Sequence, residues 1–173
     1  MMKIPFDIEQ QRCTEWCWAA VVAAVCRAYG DDGSPGQCEI ASLIFGPNIC
    51  TRCDCVADPF ASCNQPRNLA VVLDRVQHDR GNSPQGTARL GLEDIKKDID
   101  LGHPIVVAVR LDDPASSGHA VAIYGYDNDV VLVADPMHPH DNISIRFEEF
   151  VNRAPTALHG IWQSAYLTRG RNE

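Results

Sequence analysis

The spacing of apolar positions changes near residue 103 and divides the predicted elements into two groups. Before that point, the run EWCWAAVVAAVCRAY is apolar nearly all round and stops at Gly30. It predicts a buried central helix with Thr14 as its N-cap. Shorter helices are predicted over 37–45, 68–78 and the run LEDIKKDIDLG, which closes at Gly102.

From His103 onward, short runs rich in β-branched residues alternate with Pro, Gly, Asp and Asn. IVVAVRL, HAVAIYGY and VVLVA predict strands, and further strands are predicted over 143–147 and 161–168, with a helical turn, FEEFVN, between them. Helices followed by antiparallel strands are typical of an α+β domain. We expect one domain over 1–173, with a helical half over about 11–102, a sheet half over about 103–170, and a cleft between them.

Charge and hydropathy narrow this picture by exclusion. The chain has 15 Lys and Arg against 23 Asp and Glu, a formal net charge of -8, so no basic surface for nucleic acid is expected. No apolar run approaches the roughly 20 residues that span a bilayer. The first residues, MMKIPFDIEQQ, do not form a signal peptide, so we expect neither a membrane span nor an export signal.

Cysteine is frequent, with eight residues in the chain. The candidate disulfide or structural cysteines are Cys38, Cys50, Cys53, Cys55 and Cys63. Disulfides are the preferred interpretation, and buried free thiols are the next alternative. A zinc site is the last alternative, because the paired C-x-x-C knuckles that usually bind zinc are absent. If Cys17 is a free thiolate, an odd number of cysteines remains, so at least one more must also be unpaired.

Cys17 is the candidate nucleophile. The predicted helix places it in the first turn, where unpaired backbone N–H groups and the positive end of the helix dipole favour a thiolate. Gln11 lies six residues upstream, from where its amide can donate a hydrogen bond to a developing oxyanion. The alternative for Cys17 is a buried structural thiol, because free cysteines pack as small hydrophobes.

His119 and Asp135 are the candidate base and its orienting partner. His119 begins the strand HAVAIYGY, and Asp135 follows the strand VVLVA. A three-residue turn over 127–129 would pair Val121 with Asp135 and bring the two side chains to one face as diagonal neighbours. A two-residue turn would send them to opposite faces, so we expect the three-residue turn.

The motif Q-x-x-x-x-x-C-W-A-A, followed by G-H and later by V-x-V-x-D-P, resembles the signature of the papain-like cysteine peptidases. Within that superfamily the chain is similar to a compact bacterial group related to the double-glycine leader peptidases. The recurring segments are 37–42, 63–66, 102–107 and 161–168, so the resemblance covers nearly the whole chain.

This resemblance implies a papain-like fold with an active-site cleft between the helical and sheet halves. It also implies that Cys17 is the nucleophile, His119 the general base and acid, Asp135 the orienter of the imidazole, and Gln11 the oxyanion-hole side chain. Asparagine is usual at the Asp135 position in plant and lysosomal relatives, whereas aspartate matches the leader peptidases. Either side chain accepts the imidazole N–H.

The resemblance implies a cysteine endopeptidase that hydrolyses peptide bonds without a cofactor. We expect a bacterial effector or toxin that is secreted or delivered as part of a larger protein, with a protein or peptide substrate and a cognate inhibitor or immunity protein as partners. Transglutaminases, deamidases and acyl transferases use similar machinery and are the alternative class. A non-catalytic binding module is the third alternative.

Other polar and aromatic residues are given structural roles. Trp16 and Trp18 are expected to pack in the core rather than bind substrate. His138 and His140 are expected in a Pro-containing surface loop, not in a metal site with Asp135. The remaining predictions are solvated loop charges at Asp112 and Asp113, and structural or solvated roles for His78, His103 and His159.

Overall fold

The computed structural model describes residues 1–33, 35–112, 118–141, 143–152, 160–171 and 173. Asp113 and His159 lie outside the described residues. The elements follow in the order β1 (Met2–Lys3), α1 (Cys17–Ala28), α2 (Gln37–Phe45), α3 (Ile49–Arg52), α4 (Leu69–Arg75), α5 (Leu92–Asp100), β2 (Ile105–Leu111), β3 (His119–Asp127), β4 (Val130–Ala134), β5 (Ile143–Arg146), α6 (Phe147–Asn152) and β6 (Gly160–Leu167). None of the helices in the described ranges is long and apolar enough to cross a membrane.

An antiparallel sheet lies at the centre of this mixed helix-and-sheet fold, as expected for the α+β class. Its strand order is β5-β4-β3-β2-β6, and β1 pairs with β3. Helix α1 packs on one face, with α2 and α4 against it, while α5 and α6 pack on the other face. Because both faces are covered, β2, β3 and β4 read as nearly unbroken apolar runs. Helix α5, which precedes the sheet in sequence, therefore packs on its far side and not beside α1.

Helix α1 is buried along its length, from Trp18 to Cys26, as its apolar sequence predicts. The helix ends at Ala28, and Gly30, two residues further on, adopts a φ of 70°. Its start differs from the prediction of a Thr14 N-cap, because Trp16 occupies the N-cap position and no side chain caps the helix. The hydroxyl of Thr14 instead accepts a hydrogen bond from the Asn64 amide at 2.7 Å, which keeps Thr14 in the preceding loop.

The turn between β3 and β4 has two residues, Asn128 and Asp129, so the predicted three-residue turn is wrong. The turn is tight because Asn128 adopts a φ of 54°, a left-handed conformation that asparagine tolerates. An irregularity between Ile123 and Gly125 then shifts the register by one residue and pairs Ala122 with Ala134. Continuing this register places Val121 beside Asp135, the arrangement that the longer turn was expected to produce.

The cysteines form three disulfides among the described residues: Cys13–Cys55, Cys38–Cys50 and Cys53–Cys63. The five candidate cysteines are therefore all bridged, and the free-thiol and zinc alternatives do not apply to them. Cys13 is the bridged partner that the sequence did not single out. Cys17 and Cys26 are free, in agreement with the parity argument.

Candidate active site

Cys17 is the first residue of α1, and its side chain is half-buried. The N-cap residue Trp16 makes no side-chain cap hydrogen bond, so the first N–H groups of α1 are uncapped beside Cys17. The polar end of the helix and the thiol therefore share one wall of a cleft. The opposite wall comes from the sheet, where β3 begins at His119 beside Val109 of β2.

His119 lies between Cys17 and Asp135. Its Nε2 is 2.7 Å from Oδ1 of Asp135, and the side chain also forms a hydrogen bond with Cys17. Because Nε2 is occupied by Asp135, the nitrogen left for Cys17 is Nδ1. Burial disfavours the charged imidazole, but the hydrogen bonds with Asp135 and Cys17 outweigh it and raise the pKa of His119 to about 9. The geometry thus favours an imidazolium next to the thiol.

Asp135 is fully buried, and its carboxylate is fixed by the loop that follows β4. The backbone N–H of Met137 donates to Oδ1 of Asp135 at 2.9 Å, and the N–H of His138 donates to the Asp135 carbonyl at 3.0 Å. Oδ2 is buried and has no hydrogen-bond partner among the described residues. The carboxylate is therefore held by its own loop in a position to orient the imidazole.

Gln11 lies in the approach segment, residues 9–16, which leads into α1. Its backbone N–H donates to the Pro136 carbonyl at 2.8 Å, which joins this segment to the loop that carries Asp135. Its side-chain Nε2 donates to the carbonyls of Cys13 at 3.0 Å and Thr14 at 2.7 Å. Both amide hydrogens are thus engaged within the approach segment.

The cysteine-rich segment, residues 50–65, supports the approach segment through side chains that the sequence did not single out. Asn64 is buried, and its Oδ1 accepts the backbone N–H of Glu15 at 2.9 Å. Its Nδ2 donates to the Thr14 hydroxyl, and the indole of Trp16 donates to the Cys63 carbonyl at 2.8 Å. The position of Asn64 next to a bridged cysteine, in CNQP, was the only sequence signal for this support.

The cleft beside Cys17 has a volume of about 190 Å³. Its lining includes Cys17, Trp18, Arg67, His119, Gln163 and Tyr166, and none of the described residues that line it is acidic. A larger surface cavity of about 760 Å³ lies elsewhere, beside α6, and the part of its lining that the structure describes has no cysteine or histidine. The smaller cleft is therefore the one that contains the chemistry.

Among the described residues, one group of side chains lies close enough together to be considered as a metal site. Ligand atoms of Cys26, Asp31 and His78 lie within 4.8 Å of one another. Oδ2 of Asp31 already lies 2.9 Å from both His78 Nε2 and an Arg171 guanidinium nitrogen. A cation would have to compete with that guanidinium, so we assign the group a structural role.

The structural roles expected for other residues agree with their surroundings. Trp16 and Trp18 are 0% and 1% exposed, although Trp18 also contributes to the cleft wall.

His138 lies in the loop after β4, near the exposed Asp141, outside the group of Cys26, Asp31 and His78. His140 lies in the same loop. His103 is buried and pairs with Glu173 at 2.9 Å, while Asp112 is exposed at the end of β2.

A free cysteine at the N-terminus of a central helix, hydrogen-bonded to a histidine on an antiparallel sheet, is the arrangement of a papain-like cysteine peptidase. The sequence profile of the Peptidase_C39-like family matches residues 3–156, and the chain belongs to this family. The family makes it a cysteine peptidase, as the sequence resemblance implied.

Comparison with solved structures supports the fold. A Bacillus anthracis protein described as a C39-like peptidase aligns with a TM-score of 0.58 and 14% sequence identity. The alignment covers 99% of this chain and 98% of the other, so the likeness extends over the whole fold. No curated protein matches the sequence.

Proposed function

We propose that the protein is a cysteine endopeptidase in which Cys17, His119 and Asp135 form the catalytic triad. The observation that carries this proposal is that His119, which is hydrogen-bonded to Asp135, also forms a hydrogen bond with Cys17 across the cleft. It supplies a nucleophile, a proton carrier and an orienting carboxylate in the relative positions that acyl transfer requires.

The proposed reaction begins with attack of the Cys17 thiolate on a peptide carbonyl, which forms a carbon–sulfur bond and a tetrahedral oxyanion. The oxyanion collapses, the peptide C–N bond breaks, and His119 donates its proton to the leaving amine. Water then attacks the thioester while His119 accepts a proton from it, and the acid product leaves as Cys17 is regenerated. Asp135 keeps Nδ1 of the imidazole directed at the thiol and stabilises its charged form throughout.

The uncapped N-terminus of α1 supports backbone N–H groups as the first donors to the oxyanion. Gln11 is the proposed side-chain donor, and to serve the oxyanion it must release one of the two carbonyls that its amide now contacts. The variant Gln11→Ala should lower kcat by about tenfold or more with little change in KM. An unchanged kcat would assign Gln11 to loop structure alone.

Thiol reactivity tests the triad directly. We expect an epoxide or iodoacetamide probe in stoichiometric amount near pH 6 to label Cys17 quickly, and the label can be mapped by mass spectrometry. Cys26 is the internal control, because it is the other free cysteine and is fully buried. Labelling of Cys17 should collapse in His119→Ala. Labelling that is indifferent to His119 would overturn the triad.

Hydrolysis must also be distinguished from transfer to another acceptor. Peptides blocked at both termini should be cut internally, with a new N-terminus for each bond broken, which defines an endopeptidase. Release of ammonia without chain scission would instead assign a deamidase or transglutaminase. Binding of peptides without either product, together with an inert Cys17, would assign a binding module.

We further propose that the protein acts outside the reducing cytosol, as a secreted or delivered bacterial effector or toxin held in check by a cognate inhibitor. The three disulfides support an oxidising destination, since such bonds are rare in cytosolic proteins. Fractionation of the source organism should find the protein in the medium or in a target cell, with its cysteines bridged. Retention in the cytosol in reduced form would overturn this setting.

A further inference from the structure

The cleft beside Cys17 is electrostatically one-sided. Within the described ranges, its ionisable lining side chains other than Cys17 and Tyr166 are Arg67 and His119, and no carboxylate lines it. This contrasts with the whole chain, whose formal net charge is -8. The cleft is therefore locally suited to an anion, within a protein whose overall charge repels anions.

Arg67 differs from the arginines that form ion pairs. Arg27, Arg80, Arg146 and Arg171 each pair with a carboxylate, whereas none of the ion pairs within the described residues includes Arg67. Its guanidinium donates to the Pro66 carbonyl at 2.9 Å and to Oε1 of Gln65 at 3.0 Å. Two of the five N–H donors of a guanidinium are thus engaged with neutral groups, which leaves its charge uncompensated.

The side chain of Arg67 is also held in place. Its guanidinium carbon lies 4.3 Å from the centre of the Phe45 ring, in a cation–π contact. The backbone on either side is anchored, because the Trp18 indole donates to the Gln65 carbonyl at 3.0 Å and Asn68 caps α4. A half-buried, pre-oriented guanidinium loses little conformational freedom when it binds a ligand.

We infer that Arg67 selects substrates that carry an acidic side chain, Asp or Glu, close to the scissile bond. The inference rests on the proposed peptidase function. A carboxylate matches the planar fork of the guanidinium and can form two parallel hydrogen bonds with it. A lysine or arginine of the substrate at the same place would meet a like charge that no carboxylate of the described lining compensates. The C-terminal carboxylate of a peptide offers the same chemistry, and we favour the side chain because an endopeptidase cuts away from chain ends.

The test uses peptides blocked at both termini that differ at a single position as Glu, Gln or Lys, with that position scanned along both sides of the cleaved bond. At one position, wild type should cleave the Glu peptide with a kcat/KM about tenfold above the Gln peptide and higher still above the Lys peptide. Arg67→Glu should reverse the order of Glu and Lys. Arg67→Lys should keep part of the preference, because it keeps the charge without the planar fork.

Arg75→Glu is the matched control, because it makes the same change in net charge at an exposed position of α4 outside the cleft. It should leave the order of the peptides unchanged. Equal rates for Glu and Gln peptides at every position, or a preference for Lys, would overturn the inference. A uniform loss with all peptides in Arg67→Glu would also overturn it, by assigning Arg67 a structural role. A preference that appears only when the peptide C-terminus is unblocked would assign Arg67 to a terminal carboxylate.

The same design separates this inference from the proposed function. Peptides carrying a thiol-reactive group and the same Glu, Gln or Lys substitution report on Cys17 without turnover. If wild type cleaves no peptide and Cys17 reacts with none of these probes, the proposed function fails and the inference fails with it. If Cys17 reacts at equal rates with all of them, the function stands and the inference alone is overturned.

Discussion

The two ends of α1 carry the same three residue types in different settings. At the N-terminal end, Cys17 lies beside His119, which contacts Asp135. At the C-terminal end, Cys26 lies beside Asp31, which contacts His78 at 2.9 Å. Both groups combine a free thiol, an imidazole and a carboxylate within one protein. The difference between them shows which features beyond residue type make a site.

Access is the first difference. Cys17 is half-buried on the wall of a cleft, whereas Cys26 and His78 are both 0% exposed. The order of the residues is the second. His119 has one nitrogen for the carboxylate and one for the thiol, while both nitrogens of His78 face oxygen, in Asp31 and in the Arg169 carbonyl. His78 is therefore saturated by its structural partners and cannot serve a thiol.

Electrostatics separate the two ends further. Hydrogen bonds with Asp135 and Cys17 raise the pKa of His119 to about 9 despite its burial, which favours a charged partner for Cys17. At the other end, burial and the adjacent Asp31 carboxylate raise the pKa of the Cys26 thiol to about 12, so Cys26 stays neutral. The same helix thus presents a polar, uncapped N-terminus to one thiol and an apolar, anionic environment to the other.

The largest contrast is expected when each thiol is removed. Cys17→Ala should lower kcat/KM on blocked peptides by about 10⁴-fold or more, because no other group can form the thioester. Cys26→Ala should keep kcat/KM near wild type and lower the free energy of unfolding by roughly 1–3 kcal/mol, since it leaves a small cavity. Peptide cleavage and thermal melting measure the two effects. Activity that depends on Cys26 rather than Cys17 would place the catalytic site at the C-terminal end of α1 and contradict the proposed function.

Removing each histidine should give a similar division. His119→Ala should lower kcat/KM by about 10³-fold and abolish selective labelling of Cys17 at pH 6, because the proton carrier is gone. His78→Ala should instead lower the free energy of unfolding by about 1–3 kcal/mol, because Asp31 loses a buried hydrogen-bond partner while it keeps its ion pair with Arg171. His78→Gln retains a donor and gives a folded control. Loss of labelling in folded His78→Gln would mean that the two ends are coupled.

Different interactions hold the two ends of α1 in place, and replacement of the bridged cysteines tests this difference. The Cys13–Cys55 bridge ties the approach segment at the catalytic end, whereas Asp31 holds the other end through a hydrogen bond with His78 and an ion pair with Arg171. Replacing Cys13 and Cys55 together by serine should cost about 2–4 kcal/mol of stability and also slow alkylation of Cys17.

The matched control for this pair is the double replacement of Cys38 and Cys50. That bridge joins α2 to α3, and Cys38 accepts a contact from the Arg12 guanidinium. A similar loss of stability with unchanged alkylation of Cys17, compared at a temperature where both variants are folded, is expected. Equally slow alkylation of Cys17 in both double variants would show that loss of stability, and not loss of the Cys13–Cys55 bridge itself, controls its reactivity.

The smallest effect is expected from Asp135→Asn, which keeps an acceptor for His119 but removes the charge. We expect kcat/KM at pH 7 to fall by about tenfold. The pKa of His119 should fall with loss of the carboxylate, so that activity, which in wild type declines as pH rises through about 9, declines at lower pH in the variant. A pH profile of kcat/KM measures the shift. An alkaline limb that stays in place would mean that Asp135 does not control the imidazole.

The stability of the fold should also depend on pH through the raised pKa of His119. Because the pKa of His119 is raised from 6.5 to about 9, its protonated form stabilises the folded state fully below pH 6.5, and this contribution is lost as pH rises to about 9. Denaturant unfolding of wild type between pH 6 and 9, compared with His119→Ala, isolates it. A difference in stability that does not shrink with rising pH would contradict the raised pKa.

Much of the fold could be predicted from periodicity. Helix α2 and strands β2 and β4 have the predicted bounds, because long uniform apolar patterns flanked by Gly, Pro or Asp leave little freedom. Strand β1 and helix α3 were missed, since two residues in a strand and a single helical turn carry no periodic signal. They exist because β3 and the disulfides offer partners that a linear pattern does not show.

Sequence patterns alone were enough to identify the residue types of the candidate site, the helix that carries Cys17 and the strand that begins at His119. Parity added that a second cysteine must be unpaired if Cys17 is free. The contact between Asp135 and His119 depends on the folded chain, because a two-residue turn and a register shift at Tyr124 act together. The tertiary structure also places Asn64 against the approach segment and Arg67 in the cleft, since disulfides and long-range packing bring these distant segments together. Burial also distinguishes the Cys17 group from the Cys26 group, which has the same residue types. The charge of a thiol depends on its contact with water, on nearby helix ends and on neighbouring charges, which the sequence does not show.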